Sequence, residues 1–262
     1  MSDAPVGYGV RDGVAWITLS RPSVLNALNT ELAAALADRV EAATADADVM
    51  LVVVRGAGRA FCSGMDRTAL ARGAIGEPFY RHWIRALNGL EDMPKITLAV
   101  LHGYSIGGGL QLALACDLRL ATEDAVLGLG ATRHGLVPDG AVLRLARVVG
   151  LGRAKELALL NDDVSPAEAR AMGLVNWVCA PAALDAAVES ILARARSASP
   201  TAAGHTKRLL HASFHADPRA IIEEVVRAQN DCMASWEMAE ANRAWQEKRQ
   251  AVFHPRGKPE GS

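Results

Sequence analysis

The sequence predicts an α/β fold, and three stretches carry that prediction. The first is Ile96 to Ala115, where an apolar run of strand length enters the glycine-rich segment His102-Gly-Tyr-Ser-Ile-Gly-Gly-Gly109 and continues into good helix formers. The second is Met50 to Val54, apolar at every position, which leads into another glycine-rich loop, Arg55 to Asp66. A strand without polar alternation is buried on both faces, as in a sheet covered by helices. The third is the change of pattern at Ala183, beyond which the chain reads as helical. These features divide the chain into a core over residues 1–195 and a C-terminal helical region over 196–262.

The elements follow in order. Tyr8 to Val10 and Val14 to Leu19 flank Asp12-Gly13, a pair favoured in tight hairpins. A helix starts near Thr30, where Asn29 or Thr30 can cap and Leu32, Leu36 and Val40 share a face. Glu77 to Met93 is a helix whose Phe79, Tyr80, Trp83, Ile84, Leu87 and Leu90 form either core or the wall of an apolar pocket. After the strand, turn and helix of Ile96 to Ala115 come two short strands, Asp117 to Thr122 and Ala125 to Leu129, then a polar stretch to Asp139-Gly140, then a helix from Val142. Ser165-Pro-Ala-Glu168 combines a capping serine, a proline at the first helical position and a glutamate at the third. Leu174 to Val178 is a last strand. Helices follow over Ala183 to Ala195, Thr201 to Phe214 and from Asp217-Pro218 toward Trp245, with Pro255 to Ser262 as a frayed end.

The 262 residues carry a net charge of −1, so no basic field favours nucleic acid or an anionic membrane surface. Apolar runs are too short to span a bilayer. Cys62, Cys116, Cys179 and Cys232 are scattered without Cys-x-x-Cys spacing or a secretory leader, which fits reduced thiols in the cytoplasm. His211 and His215 lie four apart on a helix but lack a third ligand, so no metal is assigned.

The triple glycine Gly107 to Gly109 has two readings. It exposes unpaired amides at a helix start to an anion or a developing negative charge, or it lets helix and strand pack closely. Its spacing matches neither the P-loop nor the dinucleotide fingerprint. Two glycine-rich loops leaving neighbouring strands can aim two amides at one point, the requirement for stabilising an oxyanion, with each donor worth roughly 3 kcal/mol.

Arg21-Pro22 to Asn29, Gly58 to Asp66, His102 to Gly109 and Glu247-Lys-Arg-x-x-x-Phe253 together resemble the enoyl-CoA hydratase/isomerase, or crotonase, superfamily, in order and at its spacings over residues 6 to 254. The resemblance implies a spiral of β-β-α units with a helical C-terminal region, assembled as a trimer or a dimer of trimers. It implies a coenzyme A thioester as substrate, with no cofactor besides, whose carbonyl oxygen takes hydrogen bonds from the Met65 and Gly108 amides. Val24 and Leu25 would line the CoA channel, Ala60 and Asp66 would flank the loop holding adenine and pantetheine, and Arg59 would meet a phosphate. Lys248 and Phe253 would reach the CoA of their own or a neighbouring subunit; otherwise they are surface and packing residues.

The sequence departs from the family at the acid-base positions. The two glutamates of the hydratases fall here on Gln111 and Ala131, neither of which can take a proton at neutral pH. Asp139, in Gly-Leu-Val-Pro-Asp-Gly140, stands where some family members that lack both glutamates carry an aspartate. Asp139 is therefore expected to be a single proton shuttle for double-bond isomerisation, with an N-cap of the Val142 helix as the plainer role. His134 is a second acid-base candidate and Arg133 a loop anchor. The alternatives are hydration with water oriented by Gln111, hydrolysis or dehalogenation with Asp139 as nucleophile or base, and a non-catalytic acyl-CoA-binding protein.

Overall fold

The computed structural model describes residues 4–253, so the expected frayed end at Pro255 to Ser262 lies outside the described residues. The main sheet holds six strands in the spatial order β1 (Val6–Arg11), β2 (Val14–Leu19), β3 (Leu51–Gly56), β4 (Ile96–Leu101), β6 (Leu118–Thr122) and β8 (Trp177–Cys179). Only β1 and β2 pair antiparallel; every other neighbour is parallel. Two further strands, β5 (Tyr104–Ile106) and β7 (Val126–Gly128), pair in a smaller second layer. The hairpin turn has Asp12 and Gly13 both at positive φ, 51° and 72°, the twist-matching geometry that this residue pair accommodates.

The helices are α1 (Thr30–Ala45), α2 (Arg67–Ala71), α3 (Glu77–Asp92), α4 (Gly108–Ala115), α5 (Leu145–Leu160), α6 (Pro166–Ala171), α7 (Leu184–Ala195), α8 (Pro200–Ala212), α9 (Pro218–Ala234) and α10 (Trp236–Gln246). Asn29 caps α1 by accepting from the Leu32 amide, and Ser165 with Glu168 completes a reciprocal capping box on α6. In β3, Val52 and Val54 enter the core shared with α1, α3 and α4, whereas Leu51 and Val53 enter a second core with α7 and Phe253. Burial on both faces is what the unbroken apolar run encodes.

Four elements differ from expectation. Tyr104 to Ile106 is a strand rather than a turn, because it pairs in parallel with Val126–Gly128, and Cys62 bridges to it as well: its amide donates to Tyr104 O at 2.9 Å and its carbonyl accepts from the Ile106 amide at 3.0 Å. The last strand runs over Trp177–Cys179, while Leu174 and Val175 are buried ahead of it. The helix expected at Val142 begins at Leu145, after a run of turns over 139–144. The helix expected to reach Trp245 breaks at Ser235, whose extended backbone ends α9 and whose hydroxyl accepts from the Met238 amide to start α10.

Candidate active site

A cavity of about 270 Å³ opens where α2, α3 and the start of α4 face the 129–139 segment. Its apolar wall includes Leu28, Met65, Phe79, Trp83, Ile106 and Val137. Phe79 stacks on Trp83 with ring centroids 6.2 Å apart and meets Tyr80 edge-on at 5.3 Å. The aromatic face of α3 is thus core and pocket wall at once.

Backbone geometry decides what the two glycine loops present. Leu28 bridges in parallel to Met65: the Leu28 amide donates to Gly64 O and the Asp66 amide donates to Leu28 O, both at 2.8 Å. A parallel pair engages the residues on either side of Met65 and turns the Met65 amide to the opposite side. Gly108 is the first residue of α4, so its amide has no carbonyl one turn back to bond. Among the described residues these two donors are therefore unpaired, and both border the same cavity.

The triple glycine serves packing as well as exposure. Gly107 holds φ 57°. A Cβ on Gly108 would stand 2.2 Å from Leu28 Cδ1, and one on Gly109 would stand 2.3 Å from the Cys62 carbonyl oxygen. A Cβ on Gly64, at φ 91°, would meet Ile106 O at 2.8 Å. Close approach of the two loops is what puts both amides on one cavity.

Asp139 lines the cavity. Its Oδ1 accepts from the Gly140 amide at 3.0 Å, while among the described residues Oδ2 is buried with no hydrogen bond of ordinary length, the Trp83 indole acting on the carboxyl as a longer-range donor. Burial pushes the carboxyl above its usual range, opposed by the Gly140 and Asp139 amides, the Trp83 indole and the Arg144 cation. Because the helix beyond it starts at Leu145 with Arg144 at the cap position, Asp139 does not cap it, and the plainer role fails.

Gln111 is buried, and its Oε1 accepts from the Gly140 amide at 2.6 Å. Ala131 and His134 border the cavity, His134 with an exposed side chain. Arg133 points elsewhere, donating to Leu160 O and pairing with Asp162, as a loop anchor does. Asp66 caps α2 by accepting from the Thr68 and Ala69 amides and pairs with Arg21 at 3.2 Å. The Ala69 amide is the main reason its carboxyl lies below the ordinary range, with Arg21 and the Thr68 amide adding to it. The Cys62 thiol beneath the loop is pushed up to about 12 by burial, which leaves it un-ionised and no nucleophile.

The sequence profile of the enoyl-CoA hydratase/isomerase family matches residues 9–256. The chain belongs to the enoyl-CoA hydratase/isomerase family. It is 31% identical over 251 residues to crotonyl-CoA hydratase of Syntrophomonas wolfei, covering 92% of this chain and 94% of that protein. Enoyl-CoA hydratase of Mycobacterium smegmatis superposes with a TM-score of 0.87 at 28% identity, covering 95% of this chain and 99% of that one. A Thermobifida fusca chain solved in complex with acetoacetyl-CoA superposes with a TM-score of 0.81 at 32% identity, covering 88% and 95%. The crotonase fold expected from the motifs is the fold observed.

In this crotonase-fold chain, Val24, Leu25, Arg59, Ala60, Lys248 and Phe253 do not border the cavity. Val24 and Arg59 are exposed, whereas Ala60 is fully buried with its carbonyl taken by Asn26. Lys248 is exposed at the end of α10, and Phe253 packs on Trp236 at 6.5 Å in the second core. Sequence reasoning missed three residues that shape the site. Asn26, at φ 57° and fully buried, donates to the Ala57, Ala60 and Phe61 carbonyls and so shapes the loop before Met65. An asparagine in a turn, able to adopt positive φ, was the available signal. Arg67 borders the cavity directly after Asp66, and Arg144 grips Gly140 from behind; neither carries a local pattern that marks it. Among the described residues, no helix is long and apolar enough to cross a membrane.

Proposed function

We propose that this enzyme binds a coenzyme A thioester and shifts a carbon-carbon double bond in its enoyl chain. The thioester oxygen accepts from the Met65 and Gly108 amides, which stabilise the enolate. Asp139 takes a proton from one carbon of the acyl chain and returns it to another. The observation that carries this reading is the buried Oδ2 of Asp139, without a hydrogen bond of ordinary length among the described residues, at the same cavity as the two free amides, in a site whose positions 111 and 131 hold no acid. A carboxyl raised above its ordinary range by burial suits one group that must act as base and then as acid. Preorganised amides act on charge only as it develops, which is where donors lower a barrier.

Hydration is the second reading, favoured by hydratase names such as crotonyl-CoA hydratase among the relatives. One experiment separates the two. The protein is incubated in heavy-oxygen water with a panel of 2-enoyl-, 3-enoyl- and aromatic-CoA thioesters, and products are resolved by chromatography and mass spectrometry. An isomer of unchanged mass is expected; gain of one labelled water establishes hydration, and free CoA with a labelled acid establishes hydrolysis. Asp139→Asn is expected to lower turnover by about 10²- to 10⁴-fold while acetoacetyl-CoA still binds. A variant as active as the parent overturns Asp139 as the proton carrier.

A further inference from the structure

Gln111 occupies a position where a residue without acid-base capacity is hard to reconcile with a merely vacant role. It is only 5% exposed, and among the described residues its one side-chain hydrogen bond, from the Gly140 amide at 2.6 Å, reaches across 29 residues to the peptide that follows Asp139. The same amide also donates to Asp139 Oδ1 at 3.0 Å, so one N–H is shared between the two side chains. The next peptide, which carries the Gly140 carbonyl, is held as well. The Gly140 carbonyl accepts from Arg144 Nη1 at 3.1 Å, and Arg144 is anchored on α3 through Asn88 at 2.9 Å and through Glu91. A Cβ on Gly140 would meet Leu87 Cδ1 at 2.5 Å and Gln111 Oε1 at 2.9 Å, so the clamp fits a glycine closely.

We propose that Gln111 is a positioning residue for Asp139: fixed on the helix that opens with the oxyanion donor Gly108, it clamps the Gly140 peptide and sets the distance from carboxylate to oxyanion. Gly108 and Gln111 are three residues apart in α4 and share a helix face, so one rigid turn carries both the amide and the clamp. An amide suits the task because its oxygen accepts from Gly140 without charge. A carboxylate at 111 would accept equally well but would place a second negative charge beside Asp139. The charged and titratable groups already facing Asp139 are Arg144 from behind, with Glu91 and Arg147 beyond it, and Arg67, Tyr80 and His134 around the cavity. The inference rests on Asp139 as the base.

The test follows hydrogen exchange from the acyl chain of trans-3-hexenoyl-CoA in heavy water, across pH, for the parent, Gln111→Met, Gln111→Glu and Asp139→Asn. Thermal melting and acetoacetyl-CoA affinity check that each variant is folded. Gln111→Met, similar in size but without the acceptor, is expected to lose kcat on the order of 10²-fold with KM nearly unchanged, as displacement of a catalytic group does. Gln111→Glu is expected to recover turnover at alkaline pH, with the rising limb of its rate profile moved to higher pH by the added like charge. A Gln111→Met enzyme with the parent's kcat, or a Gln111→Glu enzyme with an unmoved limb, overturns the positioning role. If Asp139→Asn exchanges as fast as the parent, or the parent does not exchange at all, the base reading itself fails, which separates the two failures.

Discussion

Gly109→Ala tests whether the site depends on the close approach of its two loops. The new Cβ would stand 2.3 Å from the Cys62 carbonyl oxygen and 3.0 Å from Cys62 Cβ. An ordinary carbon-to-oxygen contact needs roughly 3.3 Å, so about 1 Å of relief is required. Cys62 cannot supply it cheaply, because its amide and carbonyl are both committed to the Tyr104–Ile106 strand. The start of α4 must move instead, and with it the Gly108 amide away from Met65. Overpacking of this kind costs about 1–3 kcal/mol. Calorimetry should show a melting temperature lowered by about 2–4 °C for each kcal/mol. A displacement near 1 Å at a reacting centre lowers turnover on the order of 10²-fold, read in the same thioester assay at saturation. Gly108→Ala meets side chains alone, Leu28 Cδ1 at 2.2 Å and the Trp83 ring at 3.5 Å, and should be milder because the end of Leu28 can give way where backbone cannot. Gly152→Ala, in α5 with nothing within 4 Å, should stabilise by about 0.4–1 kcal/mol. A Gly109→Ala enzyme with the parent's melting temperature and turnover refutes the reasoning.

Two further predictions concern pH. Burial raises the Asp139 carboxyl, so its folded form favours the proton; the stability it contributes is full below the unfolded carboxyl range near 3.9 and falls as pH rises through the folded value. Asp139→Asn should therefore melt higher than the parent at neutral pH, with the gap closing in acid; a gap independent of pH counts against a buried, strained carboxylate. Glu240 behaves oppositely. Arg249 first, then Arg243 and the Val252 amide, lower its carboxyl to about 2, and these contacts hold the 249–252 segment that leads to Phe253. The stability it contributes is full above about 4.3 and is lost as pH falls toward 2. Glu240→Gln should flatten that acid limb and speed amide exchange over 249–253, and unchanged exchange there would show that Phe253 packing alone holds the segment.

The sequence by itself determined the elements whose causes are local. Asp12-Gly13 specifies its hairpin because both residues accept positive φ, Ser165 and Glu168 specify their capping box because they lie one turn apart, and Val52 to Val54 announce a strand buried on both faces. The family motifs, spread in order along the chain, identified the fold, and the two glycine loops marked where the Met65 and Gly108 amides stand. Tertiary structure alone decided the rest, because hydrogen-bond partners far apart in the chain leave no periodicity to read. Nothing local tells Gln111 that it will meet Gly140, Arg144 that it will meet Asn88 across 56 residues, or Asn26 that it will gather the carbonyls before Met65. The cap role for Asp139 failed for the same reason. Its carboxylate meets the adjacent Gly140 amide, which it shares with Gln111, rather than an amide of the helix, which begins only at Leu145.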